Sequence, residues 1–271
     1  MQDVIEGSRL LANPRPLYYI VKFRLVVMSN QEKERFQQSE FHFVSTDFRD
    51  SKKRGGGSIV ITDRDIQIVN EVSRWRGILG RQVQMLCGFD GVRACDRRLK
   101  LLIDEGFLTR RRYIYGVAGL LGITEKARRE FNITLPVSEP RLDQIYHDIA
   151  VTDTALYIMY RGKVTADRIV TEKELRNRDG FTTRKHMADF IFTYGKNRTC
   201  CVEVELNTKA KARFMDNIKQ NYLTYDYQQW IVPQDKVKIR TMIQDAQTQY
   251  PNIRIIDMEV INDYIEKARP K

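Results

Sequence analysis

The chain has no stretch long and apolar enough to span a bilayer. Its most apolar early run, LYYIVKFRLVVM at residues 17–28, is broken by Lys22 and Arg24 and falls short of the roughly 20 residues a spanning helix needs. The run also lacks the small-residue cleavage pattern of a secretory signal, so the expectation is a cytoplasmic protein with no membrane contact. Cysteine is scarce. Cys87, Cys95, Cys200 and Cys201 form no zinc-like spacing, and neighbours on a strand point to opposite faces, so they are expected as buried, reduced thiols. His147 and His186 belong to no His/Cys metal pattern and are expected as ordinary core or surface residues. A phosphate-cradling loop is missing too: the glycines at 55–57 have neither a following lysine nor a flanking strand.

What the chain does have is positive charge. Its 271 residues carry 46 Lys and Arg against 35 Asp and Glu, a net +11, in an otherwise ordinary composition of 42% hydrophobic and 30% charged residues. That length accommodates one or two domains with proper cores, and the basic balance favours a polyanionic partner, of which nucleic acid is the commonest.

Residues 1–60 read as a polar, basic segment and linker. Met28 is an alternative start, and Lys52, Lys53 and Arg54 form a basic cluster that is expected as a solvated tail rather than a DNA-binding arm. From Ile61 the pattern becomes regular. Thr62 caps a helix from Asp63, with Ile66, Val69 and Val72 as its apolar face. A second short helix follows, with Val83, Leu86 and Phe89 inward, and then a third, VRACDRRLKLLIDEG, with Ala94, Leu99, Leu102 and Ile103 as its buried stripe. Gly106 ends that helix, and two short strands and another helix follow. Three helices and a hairpin over 61–134 describe a winged helix-turn-helix. The third helix would enter the major groove of double-stranded DNA with Arg93, Arg97, Arg98 and Lys100, and Arg110, Arg111 and Arg112 would meet phosphate. The alternative is a small helical domain with solvated arginines.

Residues 140–271 read coarsely as α, short β, β, β, α, β, α, β, α, a mixed sheet flanked by helices in the order of the restriction-endonuclease-like PD-(D/E)xK fold, which makes the chain α/β overall. Leu142, Ile145, Ile149 and Leu156 are expected to face inward on the first of these helices, and a basic helix is expected over 209–228. At the centre lies KHMADFIFTYGKNRTCCVEVEL, two strands and a turn. Period-two geometry puts Glu203 and Glu205 on one face and Val202, Val204 and Leu206 on the other, as in a half-buried strand. An aspartate on one strand and Glu-x-Glu on its neighbour can assemble a Mg²⁺ site, with Asp189 and Glu203 as ligands, only if the loop at Gly195-Lys196-Asn197 is odd-numbered. The bland alternative is an amphipathic hairpin. Phe214, Tyr222, Tyr225, Tyr227 and Trp230 are expected as packing rather than base-stacking residues. The basic face of Lys209, Lys211, Arg213 and Lys219 reads equally as a set of phosphate contacts or as a solvated helix face.

These residues together resemble the replication-relaxation family of bacterial plasmids and integrative elements. The motifs that carry the resemblance, over residues 61–232, are TEKELR with Glu172, HMADF with Asp189, VEVELNTKAKARF with Glu203 and Glu205, then His147, Lys219 and Tyr222. The resemblance implies a winged helix joined to a degenerate PD-(D/E)xK-like domain, with replication or relaxosome proteins and a second copy of the chain as possible partners. Two departures stand out. Met187-Ala188 replaces the arginine-proline before the aspartate, and Glu205 stands where active enzymes carry a lysine that helps activate water and stabilise charge on phosphate. The leading expectation is therefore a DNA-binding protein of a mobile element. The second is a Mg²⁺-dependent endonuclease or nickase using Asp189, Glu203, Glu205, Glu172 and a migrated Lys209, and the third a transcriptional regulator with a dimerising second half.

Overall fold

A computed structural model describes residues 59–180 and 186–270; most of the basic amino-terminal segment, Met28 and the cluster at 52–54 lie outside them. The first element is helix α1 (Asp63–Arg74). Asp65 accepts from the Thr62 backbone N–H at 2.6 Å and from the Thr62 hydroxyl at 2.7 Å, forming the first-turn cap. The same carboxylate is ion-paired to Arg98. Drawing Asp65 inward sets the helix phase, so the buried face runs through 65, 68, 69 and 72 rather than through Ile66, which is 39% exposed. A two-residue strand β1 (Ile78–Leu79) leads into α2 (Gly80–Leu86), and α3 (Val92–Asp104) follows. On α3, Cys95 takes the inward position expected of Ala94, beside Leu99 and Leu102. Strands β2 (Leu108–Arg111) and β3 (Leu120–Ile123) pair antiparallel, with Leu108 opposite Ile123, and β1 joins the other edge of β3. Helix α4 (Glu125–Glu130) is capped by Thr124.

The second part opens on a 3₁₀ turn at Leu142–Gln144, where Leu142 is 64% exposed instead of inward, and continues into α5 (Ile145–Gly162). Then come β4 (Ile169–Thr171), α6 (Glu172–Asp179), β5 (Phe190–Tyr194), β6 (Arg198–Val204), α7 (Lys211–Thr224), β7 (Tyr227–Val232), α8 (Val237–Gln247), β8 (Ile253–Asp257) and α9 (Met258–Ala268). The sheet order is β4-β5-β6-β7-β8, antiparallel through β6 and parallel from β6 to β8. Two details depart from the coarse sequence reading: α6 intervenes between β4 and β5, and α7 is shorter than 209–228 because Tyr227 and Gln228 already belong to β7. The chain is thus a mixed α/β protein, and none of the described helices is long and apolar enough to cross a membrane.

Parallel β6, β7 and β8 need crossover helices; these, α7 and α8, cover one face of the sheet, and α5 and α9 cover the other. Val202, Val204 and Ile231 pack on one face with Ala155 and Leu156 of α5 and Ile261 and Ile265 of α9. Phe214 and Ile218 of α7 and Ile239 and Ile243 of α8 pack on the other around Trp230, whose ring centroid lies 5.0 Å from that of Phe214. Strand β6 is consequently buried on both sides. Glu203 and Glu205 are each only 3% exposed, against the half-buried strand expected. Tyr222 and Tyr227 reach the surface, and all four cysteines are free and buried.

The first core also includes Val72, Trp75, Leu99 and Phe107, so residues of 61–134 and of 140–271 share it within one compact unit from Ile59 onward. Trp75 meets Phe190 edge-on at 6.5 Å. Polar links reinforce the junction. Arg74 donates to Glu174 at 2.9 Å, Arg81 makes a bidentate pair with Asp153 at 2.6 and 2.7 Å, and Lys173 Nζ donates to the Ser73 carbonyl at 2.8 Å.

The Asp65–Arg98 pair yields a stability test. Replacing Arg98 by methionine leaves a fully buried carboxylate unpaired and should cost about 3 kcal/mol in urea unfolding, whereas Arg97→Ala, on the exposed side of the same helix, should change stability by less than about 0.5 kcal/mol.

Candidate functional site

The hairpin register decides which acidic groups meet. Tyr194 pairs with Arg198, closing a three-residue loop, and Gly195 and Asn197 take φ of 54° and 63°, the left-handed conformation such a turn requires. Continuing the register by one pair beyond Phe190–Val202 sets Asp189 opposite Glu203. The condition that the sequence left open is met in its favourable form.

Asp189 sits just before β5, and its Oδ2 accepts the Val204 backbone N–H at 2.7 Å. From α5, His147 brings Nε2 to 3.1 Å from the Val204 carbonyl and 3.3 Å from the same Asp189 oxygen. Burial opposes ionisation of Asp189, but the His147 charge and hydrogen bond and the Val204 N–H outweigh it and hold the carboxyl below its ordinary range. Burial likewise opposes a charge on His147, yet Asp189 and Asp148 together raise its pKa to about 10. Glu203 Oε1 takes two partners, His186 Nε2 at 2.7 Å and the Asn221 amide of α7 at 2.8 Å. Glu205 Oε2 lies 2.7 Å from Lys209 Nζ. Burial raises the Glu205 pKa, with Lys209 pulling the other way; Lys209, for its part, is held above its ordinary value because Glu205, Glu203 and Asp189 overcome the burial that opposes its charge. Lys209 reaches the cluster from the loop before α7, not from the helix itself.

Glu172, the remaining acidic candidate, is close in the fold but differently engaged. Its backbone N–H donates to the Asp189 carbonyl at 2.9 Å, while its two carboxylate oxygens go to Arg76 and Arg176, each at 2.7 Å. It lines a small cleft of about 30 Å³ together with His147, Asp148 and Asp189.

Asp189 and Glu203, the residues expected to hold Mg²⁺, stand opposite each other and are already engaged. Both spend an oxygen on internal donors, Glu172 is clamped by two arginines, and Glu205 faces an ammonium. Among the described residues no three His, Cys, Asp or Glu side chains are grouped to hold a metal. As placed, each of the three carboxylates has its own donor or cation: Asp189 the Val204 N–H and His147, Glu203 His186 and Asn221, and Glu205 Lys209. The residues alone read both His147 and His186 as ordinary, with His147 singled out only through the family resemblance. Neither has a local signal, because the partners, Glu203 and Asp189, lie 17 and 42 positions along the chain and meet them only through the sheet.

The arginines singled out for DNA sort into three kinds. Arg93 and Arg97 are exposed on α3 and Arg112 is exposed after β2, with no ion-pair partner among the described residues. Lys100 pairs with Asp104 at 2.7 Å, Arg110 approaches Asp96 at 3.5 Å and Arg111 pairs with Glu139, all at the surface. Arg98 is the exception: it also donates to the Val60 carbonyl and so holds α3 against α1. Arg64, missed by sequence reasoning, lies over the Phe89 ring at 4.8 Å and lines a surface groove with Phe89, Ala94 and Arg97. Lys211, Arg213 and Lys219 of α7 are exposed.

No family model, curated protein sequence or solved structure matches the chain.

The His147 charge has a titration signature. Its imidazole resonances should shift with a midpoint near pH 10 rather than near 6.5, and Asp189→Asn should lower that midpoint by at least about one unit. Because the folded-state value is the raised one, the stability this charge contributes is fully present below about pH 6.5 and is lost as pH rises through about 10.

Proposed function

We propose that the protein binds double-stranded DNA through residues 61–134 used as a winged helix, and that residues 140–271 form a PD-(D/E)xK-like domain that no longer cleaves. In this reading the chain belongs with the replication-relaxation proteins of plasmids and integrative elements, acting as an accessory in replication or transfer. The observation that carries the reading is the pair Arg93 and Arg97, four residues apart on the exposed side of α3, with no acidic partner among the described residues. A charge retained in water without a partner suits a phosphate or a base edge, and Arg112 on the neighbouring hairpin adds a third such group.

Fluorescence anisotropy with a duplex across a salt series tests this. Arg93→Ala and Arg97→Ala should each weaken binding about tenfold. Arg112→Ala should flatten the logarithmic salt slope by about one if it meets a phosphate. Unchanged affinity in all three variants would sink the reading.

The approach of Lys209 to Glu205, near Asp189, favours a second reading, a DNA nickase whose lysine has moved. Supercoiled plasmid with Mg²⁺ or Mn²⁺ separates the two. Nicking that disappears in Asp189→Ala selects the enzyme, and intact plasmid beside tight, salt-sensitive binding selects the binder.

A further inference from the structure

The acidic cluster brings Asp189, Glu203 and Glu205 together at the end of a sheet buried on both faces, where three carboxylates need positive charge close by. A divalent cation is the usual supply at such a place, but the positive charge already present belongs to the chain. Lys209 Nζ stands 2.7 Å from Glu205 Oε2, and the imidazole of His147 stands 3.3 Å from Asp189 Oδ2. One Glu203 oxygen, Oε1, is shared between His186 and the Asn221 amide. The lysine side chain is itself two-thirds covered, so its ammonium has exchanged much of its water for these carboxylates.

We infer that Lys209 occupies the cation position of this cluster, so that the native protein takes no divalent metal between Asp189, Glu203 and Glu205. A metal placed there would have either to displace an ammonium held by an ion pair or to sit beside it, cation against cation, in a low-dielectric setting. Lys209 is then a fixed internal counter-ion rather than a group that assists at a phosphate. The inference concerns the acidic site alone and is independent of duplex binding; loss of DNA binding in the arginine variants would leave it standing.

Thermal unfolding of the full chain with and without 10 mM MnCl₂ at about matched ionic strength reads it out. The wild type should shift by less than about 1 °C. Lys209→Met, which removes the ammonium and keeps the chain length, should gain about 3 °C or more on adding Mn²⁺, and Lys209→Met/Asp189→Asn should lose that gain. A wild-type shift as large as that expected of Lys209→Met, abolished by Asp189→Asn, would overturn the inference. So would a folded Lys209→Met that gains nothing. If Lys209→Met does not fold, electron paramagnetic resonance of Mn²⁺ titrated into the wild type decides. An undiminished free-ion signal at equimolar protein supports the internal cation, and a signal loss that Asp189→Asn restores overturns it.

Discussion

A Glu-x-Glu strand covered by helices on both faces has no water with which to solvate its carboxylates, and the organisation of this molecule's acidic centre follows from that. Each negative group must find a donor or a cation inside the fold. Asn221 reaches Glu203 from the crossover helix α7, Lys209 reaches Glu205 from the loop that leads into it, and His147 reaches Asp189 from α5 on the opposite face. Three elements separate in sequence are thereby tied to one strand end. The same constraint separates fold from chemistry. The hairpin register sets Asp189 opposite Glu203 as a metal site would need, yet the groups that make burial of these acids affordable are those that a metal would have to replace.

A similar sorting applies to positive charge. Buried or half-buried arginines act as fasteners: Arg74 against Glu174, Arg81 against Asp153, Arg98 against Asp65. Together with the shared core around Trp75 and Phe190, the first two hold the helical part against the sheet. The exposed arginines, Arg93, Arg97 and Arg112, are not needed for that purpose and remain available to a polyanion. The total of 46 Lys and Arg therefore overstates the unpaired positive charge, because many of the arginines are paired internally. Arg76 and Arg176 illustrate the point, since both are committed to Glu172 at the edge of the acidic site.

Much of the architecture could be read in the chain. The helix start at Thr62 follows from a side chain that caps locally, and the three-residue loop at Gly195-Lys196-Asn197 follows from two residues that tolerate positive φ. Ile66 and Ala94 are placed inward by periodicity, but a buried ion pair and a buried thiol shift the phase of their helices, where tertiary packing outweighs a local pattern worth a few tenths of a kcal/mol per residue. Leu142 is placed inward on a helix expected from Pro140, but that helix begins only at Ile145.

By itself the sequence determined the order of the elements other than β1 and α6, the cap at Thr62 and the turn, the alternation that aligns Glu203 with Glu205, and the basic helix with Arg93 and Arg97, because all of these depend on residues within a few positions of one another. Only the tertiary structure decided that β6 is buried on both faces, that His147 and His186 belong with Asp189 and Glu203, that Arg98 is a fastener, and that Lys209 faces Glu205. Those outcomes depend on which distant groups a closed sheet and its covering helices bring within about 3 Å, where a hydrogen bond or ion pair forms, and no spacing along the chain encodes that distance.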